Sequence, residues 1–313
     1  MSLQRTPEAQ HYLTLSDTER LQYISRNTWV DYPVAQKILT KLENLLRYEK
    51  DKSRITSILL VGSSSNGKTS LLERFEALHP PYDFHTAEDR PDWLTDDYFE
   101  EHSGIGKPVL YILAPNEPNE SRLYTNILHA LNAPFRERDT ISRKQYLVEY
   151  YLKLLNIEML IIDEIHGVLS GSIARQKQTM NAIKNLSNTL KIPIVLSGTK
   201  EALRAVSTDT QISSRFRPEY LPKWKMNQEY VNLLATIISM FPLHKESNIL
   251  NAKAAQYILD MSEGFIGEIF QLLKEAARYA ILSGSERITL KEIEACEYSS
   301  LKDAHKIINL HDI

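Results

Sequence analysis

The stretch Ile58–Thr69, ILLVGSSSNGKT, constrains everything else this chain can do. Ile58–Val61 is an unbroken apolar run, the pattern of a strand buried on both faces. Gly62 opens the spacing G-x-x-x-x-G-K-[ST], with Gly67, Lys68 and Thr69 at its other fixed places. Leu71, Leu72, Phe75 and Leu78 follow on one helical face. Strand, glycine-bounded loop and helix together are the context in which this spacing cradles phosphate. Gly67 allows a close approach of the backbone, and successive N–H groups at the helix start point at the anion. Lys68 can reach the β- and γ-phosphates of ATP, and the Thr69 hydroxyl can ligate Mg²⁺.

Bulk composition narrows the setting without naming the activity. The chain has 313 residues, 42% of them hydrophobic and 25% charged, as expected of a soluble globular protein with one large domain or two ordinary ones. A single cysteine, Cys296, excludes an intramolecular disulfide and a cysteine-based zinc site, which fits a reducing cytoplasmic location. No long apolar run marks a signal peptide or a membrane span. The net charge of −3 gives no global sign of nucleic-acid binding, so DNA contacts must come from a local patch or from many subunits.

Along the chain, strands alternate with helices up to about residue 221. Residues 1–32 read as an N-terminal arm, with a short helix over Thr14–Arg26 capped by Ser16 or Asp17. Trp29, Val30, Tyr32 and Pro33 cluster before the next helix, either as packing or as one wall of an adenine pocket. Residues 79–107 read as a long surface excursion in which Trp93, Tyr98 and Phe99 lie among carboxylates. Val109–Ala114 is a second strand. Met159–Ile162 is a third, and it ends in Asp163-Glu164, where Asp163 can hold Mg²⁺ through water and Glu164 can polarise an attacking water. His166 either senses the γ-phosphate or packs, and packing is the expectation. The fourth strand, Ile192–Leu196, leads into Ser197-Gly198-Thr199, whose hydroxyls can meet phosphate or water, or cap the following helix. Arg215 and Arg217 flank Phe216 ahead of a fifth strand at Glu219–Leu221, and either can reach a neighbouring subunit's nucleotide. Beyond Pro222 only helical patterns remain, including a capping box at Thr289 and Glu292.

This organisation predicts an α/β fold with a parallel five-stranded sheet between helices and a small C-terminal helical lid. With its two carboxylates and terminal arginines, the chain resembles the AAA+ P-loop NTPases. The expected domains are 33–222 for nucleotide binding, 223–300 for the lid and 301–313 for a tail. The segments WVDYP, LLVGSSSNGKTSLLERF, LIIDEIHGVLSGSIARQ, IPIVLSGTKEA, SSRFRP and GFIGEIFQLLKEAARYAI, in that order, resemble the TniB/TnsC group of transposition ATPases.

That resemblance implies an ATPase that oligomerises as a ring or helical filament on double-stranded DNA, without sequence preference. It implies partners in a DDE transposase and a target-selection protein, and no membrane. A helicase-loader-like or other DNA-remodelling AAA+ ATPase, or an ATP-binding scaffold without turnover, are the alternative readings. Position by position, it assigns ATP contacts to Gly62, Ser63, Ser64, Ser65, Asn66, Gly67, Lys68, Thr69 and Ser70, and Mg²⁺ to Thr69 and Asp163. Catalytic roles fall to Lys68, Glu164, the sensing hydroxyl Thr199 (Ser197 being second) and the trans finger Arg215 (Arg217 being the alternative). DNA contacts fall to Lys107, Arg122 and Thr125. One departure stands out: AAA+ lids often carry an arginine in a G-x-x-R segment, whereas here Gly264-Phe265-Ile266-Gly267 is followed by Glu268.

Overall fold

A computed structural model describes residues 4–83, 104–207 and 213–299. Trp93, Tyr98 and Phe99, most of the expected excursion and the 301–313 tail lie outside the described residues. The chain divides into two compact units, one of residues 34–64 and 68–221, the other of residues 1–33, 65–67 and 222–313.

The first unit is α/β. Helix α3 (Pro33–Tyr48) buries Ile38, Leu39, Leu42, Leu45 and Leu46, the stripe legible in its sequence. Strand β1 (Ser57–Val61) is buried along its whole length and leads through the phosphate loop into α4 (Lys68–Leu78). A two-residue antiparallel pair, β2 (Tyr82–Asp83) and β3 (Ile105–Gly106), precedes the edge strand β4 (Val109–Leu113). Helices α5 (Glu120–Ala130) and α6 (Ile141–Leu154), N-capped by Asn119 and Thr140, lead to β5 (Met159–Asp163). A 3₁₀ turn at Ile165–Leu169 and α7 (Ile173–Leu190) follow, then β6 (Ile194–Gly198), α8 (Lys200–Ser207) and β7 (Phe216–Tyr220).

The five long strands form one parallel sheet in the order β4-β5-β6-β1-β7. The apolar runs in β1, β5 and β6 exist because each is paired on both sides and covered on both faces. One face packs Leu59, Leu110, Leu160, Ile162, Ile194 and Leu196 against Leu123, Ile127, Leu147, Ile183 and Leu186. Parallel register brings the carboxyl ends of β1, β5 and β6 to the same level: Val61 pairs with Gly198, and Ile162 with Leu196.

The fourth and fifth strands start furthest from the sequence reading. The fourth strand starts at Ile194, after Pro193, and runs on to Gly198. The fifth starts at Phe216 and not Glu219, so Arg217 and Pro218 lie inside it. Pro218 suggests a break, yet β7 is an edge strand paired with β1 alone, where a missing N–H is tolerated.

The second unit is helical. Its N-terminal part holds α1 (Pro7–Tyr12), a helix the weak patterning there does not announce, and α2 (Asp17–Ser25). Ser16 caps α2 and forms a capping box with Glu19. The remainder holds α9 (Gln228–Ser239), α10 (Ala252–Ser262), α11 (Ile266–Leu282) and α12 (Leu290–Ala295). The expected box at Thr289 and Glu292 opens α12, which stops at Ala295 because Cys296 is extended. Arg20 of α2 is 1% exposed; it donates to Pro242 O at 2.7 and 3.0 Å, and also to Glu286 and Asp17.

Candidate active site

The loop between β1 and α4 has the backbone its glycines foretell. Gly67 sits at φ +80°, a region that side chains with a Cβ rarely enter, and Ser65 lies in the left-handed region at φ 57°. A Cβ on Gly67 would stand 3.0 Å from Ile266 Cγ2. Residues Ser65–Gly67 belong to the helical unit, where Gly267 N–H donates to Ser65 O at 2.9 Å. Asn66 and Lys68 are buried, and the Lys68 ammonium donates to Ser63 O at 3.0 Å within the loop. Ser63, Ser64 and Ser70 complete the run from Gly62 to the first turn of α4.

Asp163 ends β5 and is fully buried. Its carboxylate is a hub. Oδ2 accepts from the Thr69 hydroxyl at 2.6 Å and from the Tyr111 hydroxyl at 2.9 Å, and Oδ1 accepts from the Glu164 N–H at 2.8 Å. Thr69 and Asp163, far apart in sequence, are therefore in direct contact. Tyr111 was invisible as a site residue in the sequence, because nothing in a single strand says which side chain across the sheet meets a given carboxylate. Burial, then the Asp163 charge and hydrogen bond, push the Tyr111 hydroxyl far above its ordinary pKa, which keeps it a donor.

These donors fit a small hard cation. Hydrated Mg²⁺ takes one or two protein oxygens together with phosphate oxygens, and Thr69 and Asp163 offer that. Ser197 adds to the fit. Its hydroxyl is fully buried and, among the described residues, is the one buried side-chain oxygen or nitrogen without a hydrogen-bond partner. The ladder pairing Ile161 with Val195 and Ile162 with Leu196 next sets Asp163 across from Ser197. No cluster of three or more His, Cys, Asp or Glu that could hold a metal exists among the described residues.

Glu164 follows Asp163 in a left-handed conformation, φ 56° and ψ 43°. A residue other than Gly, Asn or Asp held there is strained, and such strain is concentrated at functional sites. Its side chain is 40% exposed and lies 2.8 Å from His166 Nδ1, an ion pair when the imidazole is protonated. His166 is thus exposed and paired with Glu164, where packing was expected. Thr199 is half-buried at the end of β6, just ahead of α8, and its hydroxyl holds the Glu201 carboxyl below the usual range.

Arg215 stands elsewhere. Its carbonyl accepts from Ser57 N–H at 3.0 Å, at the end of β1 remote from the phosphate loop. Five strand residues span about 16 Å. Its guanidinium donates to Asn188 Oδ1 and lines a cavity of about 290 Å³ with Arg54, Lys184, Asn188 and Ser214. Arg217 is exposed on β7.

The three expected DNA residues differ in their surroundings. Arg122 is exposed. Lys107 is ion-paired with Glu76 at 3.0 Å. Thr125 is 3% exposed, and its hydroxyl accepts from Lys144 Nζ at 3.1 Å. Within the helical unit, Tyr32 stacks with Trp29 at 6.3 Å and meets Trp224 edge-on at 5.3 Å. Burial pushes the Tyr32 hydroxyl up to about 12. Glu268, standing where a lid arginine would be, accepts from the Tyr298 hydroxyl at 2.8 Å.

Known proteins share this architecture. The ORC1 protein of Aeropyrum pernix, solved in complex with DNA, superposes with a TM-score of 0.59 at 14% identity, over 92% of this chain and 69% of its own. CDC6P from Pyrobaculum aerophilum gives 0.56 at 16% identity, over 88% and 68%. The ORC2 protein of Aeropyrum pernix, in ADPNP–ADP complexes, gives 0.55 at 15% identity, over 94% and 73%. At such identities the likeness is one of fold. No curated protein matches the sequence. The family described as "TniB: Bacterial TniB protein" matches residues 20–226, more than half of the chain. On this match, which spans the phosphate loop and the Asp163 hub, the chain belongs to the TniB/TnsC family of AAA+ ATPases.

Proposed function

We propose that this protein hydrolyses ATP to time its own assembly on double-stranded DNA, and that the assembly connects a target-selection protein to a DDE transposase. The observation that carries the reading is the meeting of Thr69 with Asp163, next to Glu164 and Lys68. A site that only bound ATP would have no use for a strained glutamate beside its metal carboxylate.

The chain's own residues divide the work. The Lys68 ammonium exchanges Ser63 O for β- and γ-phosphate oxygens, and the loop N–H groups from Gly62 to Ser70 take the remaining phosphate charge. Magnesium, when bound, neutralises charge on the phosphates. Thr69 and Asp163 would hold it: the Thr69 hydroxyl donates its proton to Asp163 and so has a lone pair free for the cation. Glu164 orients the attacking water and takes its proton, and Thr199 senses the γ-phosphate from the end of β6.

The anchoring of Arg215 at the far end of β1 favours a role in trans, on the nucleotide of an adjacent subunit, with Arg217 as the alternative. With Glu268 in place of a lid arginine, that contact carries more of the response to ATP. Arg122, exposed near the start of α5, is the best placed of the three candidates to touch a DNA phosphate. Among the described residues no helix is long and apolar enough to cross a membrane, and no membrane partner is proposed.

The test is steady-state ATP turnover with and without duplex DNA, joined to electron microscopy with ATP, ADP or neither. DNA-stimulated turnover and ATP-dependent oligomers are expected. Discrete monomers under all three conditions would overturn the assembly reading.

A further inference from the structure

Asp163 has two kinds of partner. Thr69 and the Glu164 N–H come from the motifs that define the site. Tyr111 comes from neither. It lies on the edge strand β4, paired directly with Ile161, while Asp163 pairs with Leu113. The tyrosine therefore reaches Asp163 along the diagonal of the ladder, a distance that aromatic side chains span. Ile161, Asp163 and Tyr111 share one face of the sheet by strict alternation.

Packing alone does not call for a hydroxyl at this place. A phenylalanine would fill the same volume, yet the ring carries an oxygen that ends 2.9 Å from Oδ2. The backbone is anchored as well: Tyr111 N–H donates to Glu76 Oε1 at 3.3 Å, and Glu76 is itself held by Lys107. The hydroxyl occupies one lone pair of Oδ2 and fixes the plane of the carboxylate. The other lone pair of Oδ2 accepts from the Thr69 hydroxyl, the second oxygen of the proposed metal site, which leaves Oδ1, beside the Glu164 N–H, as the oxygen open to the cation or its water. Groups that orient a metal carboxylate in this way set the affinity of the site without touching the metal.

We propose that Tyr111 is a positioning residue for Mg²⁺: its hydroxyl holds Asp163 in the orientation that, with Thr69, binds the cation. This rests on the reading of Thr69 and Asp163 as the magnesium residues. Its scope is the coupling between cation and nucleotide, not the chemistry of hydrolysis.

The experiment is equilibrium binding of a fluorescent ATP analogue to the full chain, titrated with MgCl₂, for wild type, Tyr111→Phe and Asp163→Asn. Wild type is expected to bind more tightly as magnesium rises, and Asp163→Asn to lose that response. Tyr111→Phe is expected to keep wild-type affinity without magnesium and to need about tenfold more of it to reach the same gain. A Tyr111→Phe titration that overlays wild type, or shifts to lower magnesium, overturns the proposal. So does loss of binding with and without magnesium, which would make the hydroxyl a support of the fold alone. A wild-type protein with no magnesium response at all would instead remove the magnesium reading of Thr69 and Asp163, a result distinct from failure of the tyrosine.

Discussion

The Thr69 hydroxyl donates to Asp163 Oδ2 at 2.6 Å across two strands that are not neighbours. Thr69 follows β1 and Asp163 ends β5, with β6 between them. The contact exists because all three strands run parallel and end at one level, so that the start of α4 overhangs the end of β5. A register shift of a single residue would turn Asp163 to the other face of the sheet and take it away from Thr69.

Glu164→Gln keeps the shape of the side chain and removes its basicity. Phosphate release should fall by about 10²- to 10⁴-fold. ATP binding should persist, because Lys68 and Thr69 are untouched. Single-turnover kinetics beside equilibrium nucleotide binding checks both halves, and wild-type turnover in this variant would remove Glu164 as the base.

Arg215→Ala should lower assembly-stimulated turnover about a thousandfold, the scale of an arginine supplied in trans. Mixing the Arg215→Ala and Glu164→Gln proteins gives a sharper result. At mixed interfaces, the intact Glu164 of one subunit meets the intact Arg215 of the other, so part of the activity should return. If the mixture stays as inactive as either variant, Arg217 becomes the finger to test.

Arg122→Ala should weaken binding to every duplex sequence alike and reduce the slope of log affinity against log salt by about 1. Thr125→Ser should leave that slope unchanged, since Thr125 is buried on Lys144. Equal slopes for wild type and Arg122→Ala would move the DNA contact to another residue.

Arg20→Ala removes a buried cation, leaving Pro242 O without the guanidinium donor and the Glu286 carboxylate with the His244 N–H but no cation. Breaking a buried pair in this way costs about 3–5 kcal/mol, which denaturant unfolding would register. The variant should also lose an acid-sensitive component. Burial works to raise the Glu286 carboxyl, but Arg20 and the His244 N–H outweigh it and hold the carboxyl below its ordinary value. A depressed carboxyl contributes stability that is full above its unfolded pKa and is lost as pH falls through the folded one. Wild type should therefore lose more stability than Arg20→Ala on acidification below the ordinary glutamate range.

Ser197→Ala deletes a buried hydroxyl that has no partner. An unmet buried donor costs about 1–3 kcal/mol, so the variant should unfold at higher denaturant than wild type. A lower midpoint would mean that the hydroxyl is satisfied and supports the strand.

Much of this molecule was legible locally. The phosphate loop declares itself because Gly67 must adopt a backbone conformation that other residues resist, at φ +80°. The strands β1, β5 and β6 declare themselves as apolar runs, since a parallel strand covered on both faces cannot alternate. Helix ends at Ser16 and Thr289 were readable because a cap is a contact over three residues. The family followed from the order of such segments.

What local reading cannot supply is which side chains meet across elements. The fifth strand was expected to begin only at Glu219, and it is the edge position of β7 that lets it run through Pro218. Thr125 looked like a surface hydroxyl, and only the packing of α5 against α6 put it under Lys144. His166 looked like packing and stands exposed against Glu164. Tyr111 carried no signal in its own strand and was brought to Asp163 by sheet register. The sequence by itself determined the phosphate loop, the acidic strand end and the elements that bear them, because these depend on neighbours along the chain. The tertiary structure alone decided that Thr69, Tyr111 and Asp163 form one hub while Arg215 stands at the other end of β1, because that depends on strand order and register.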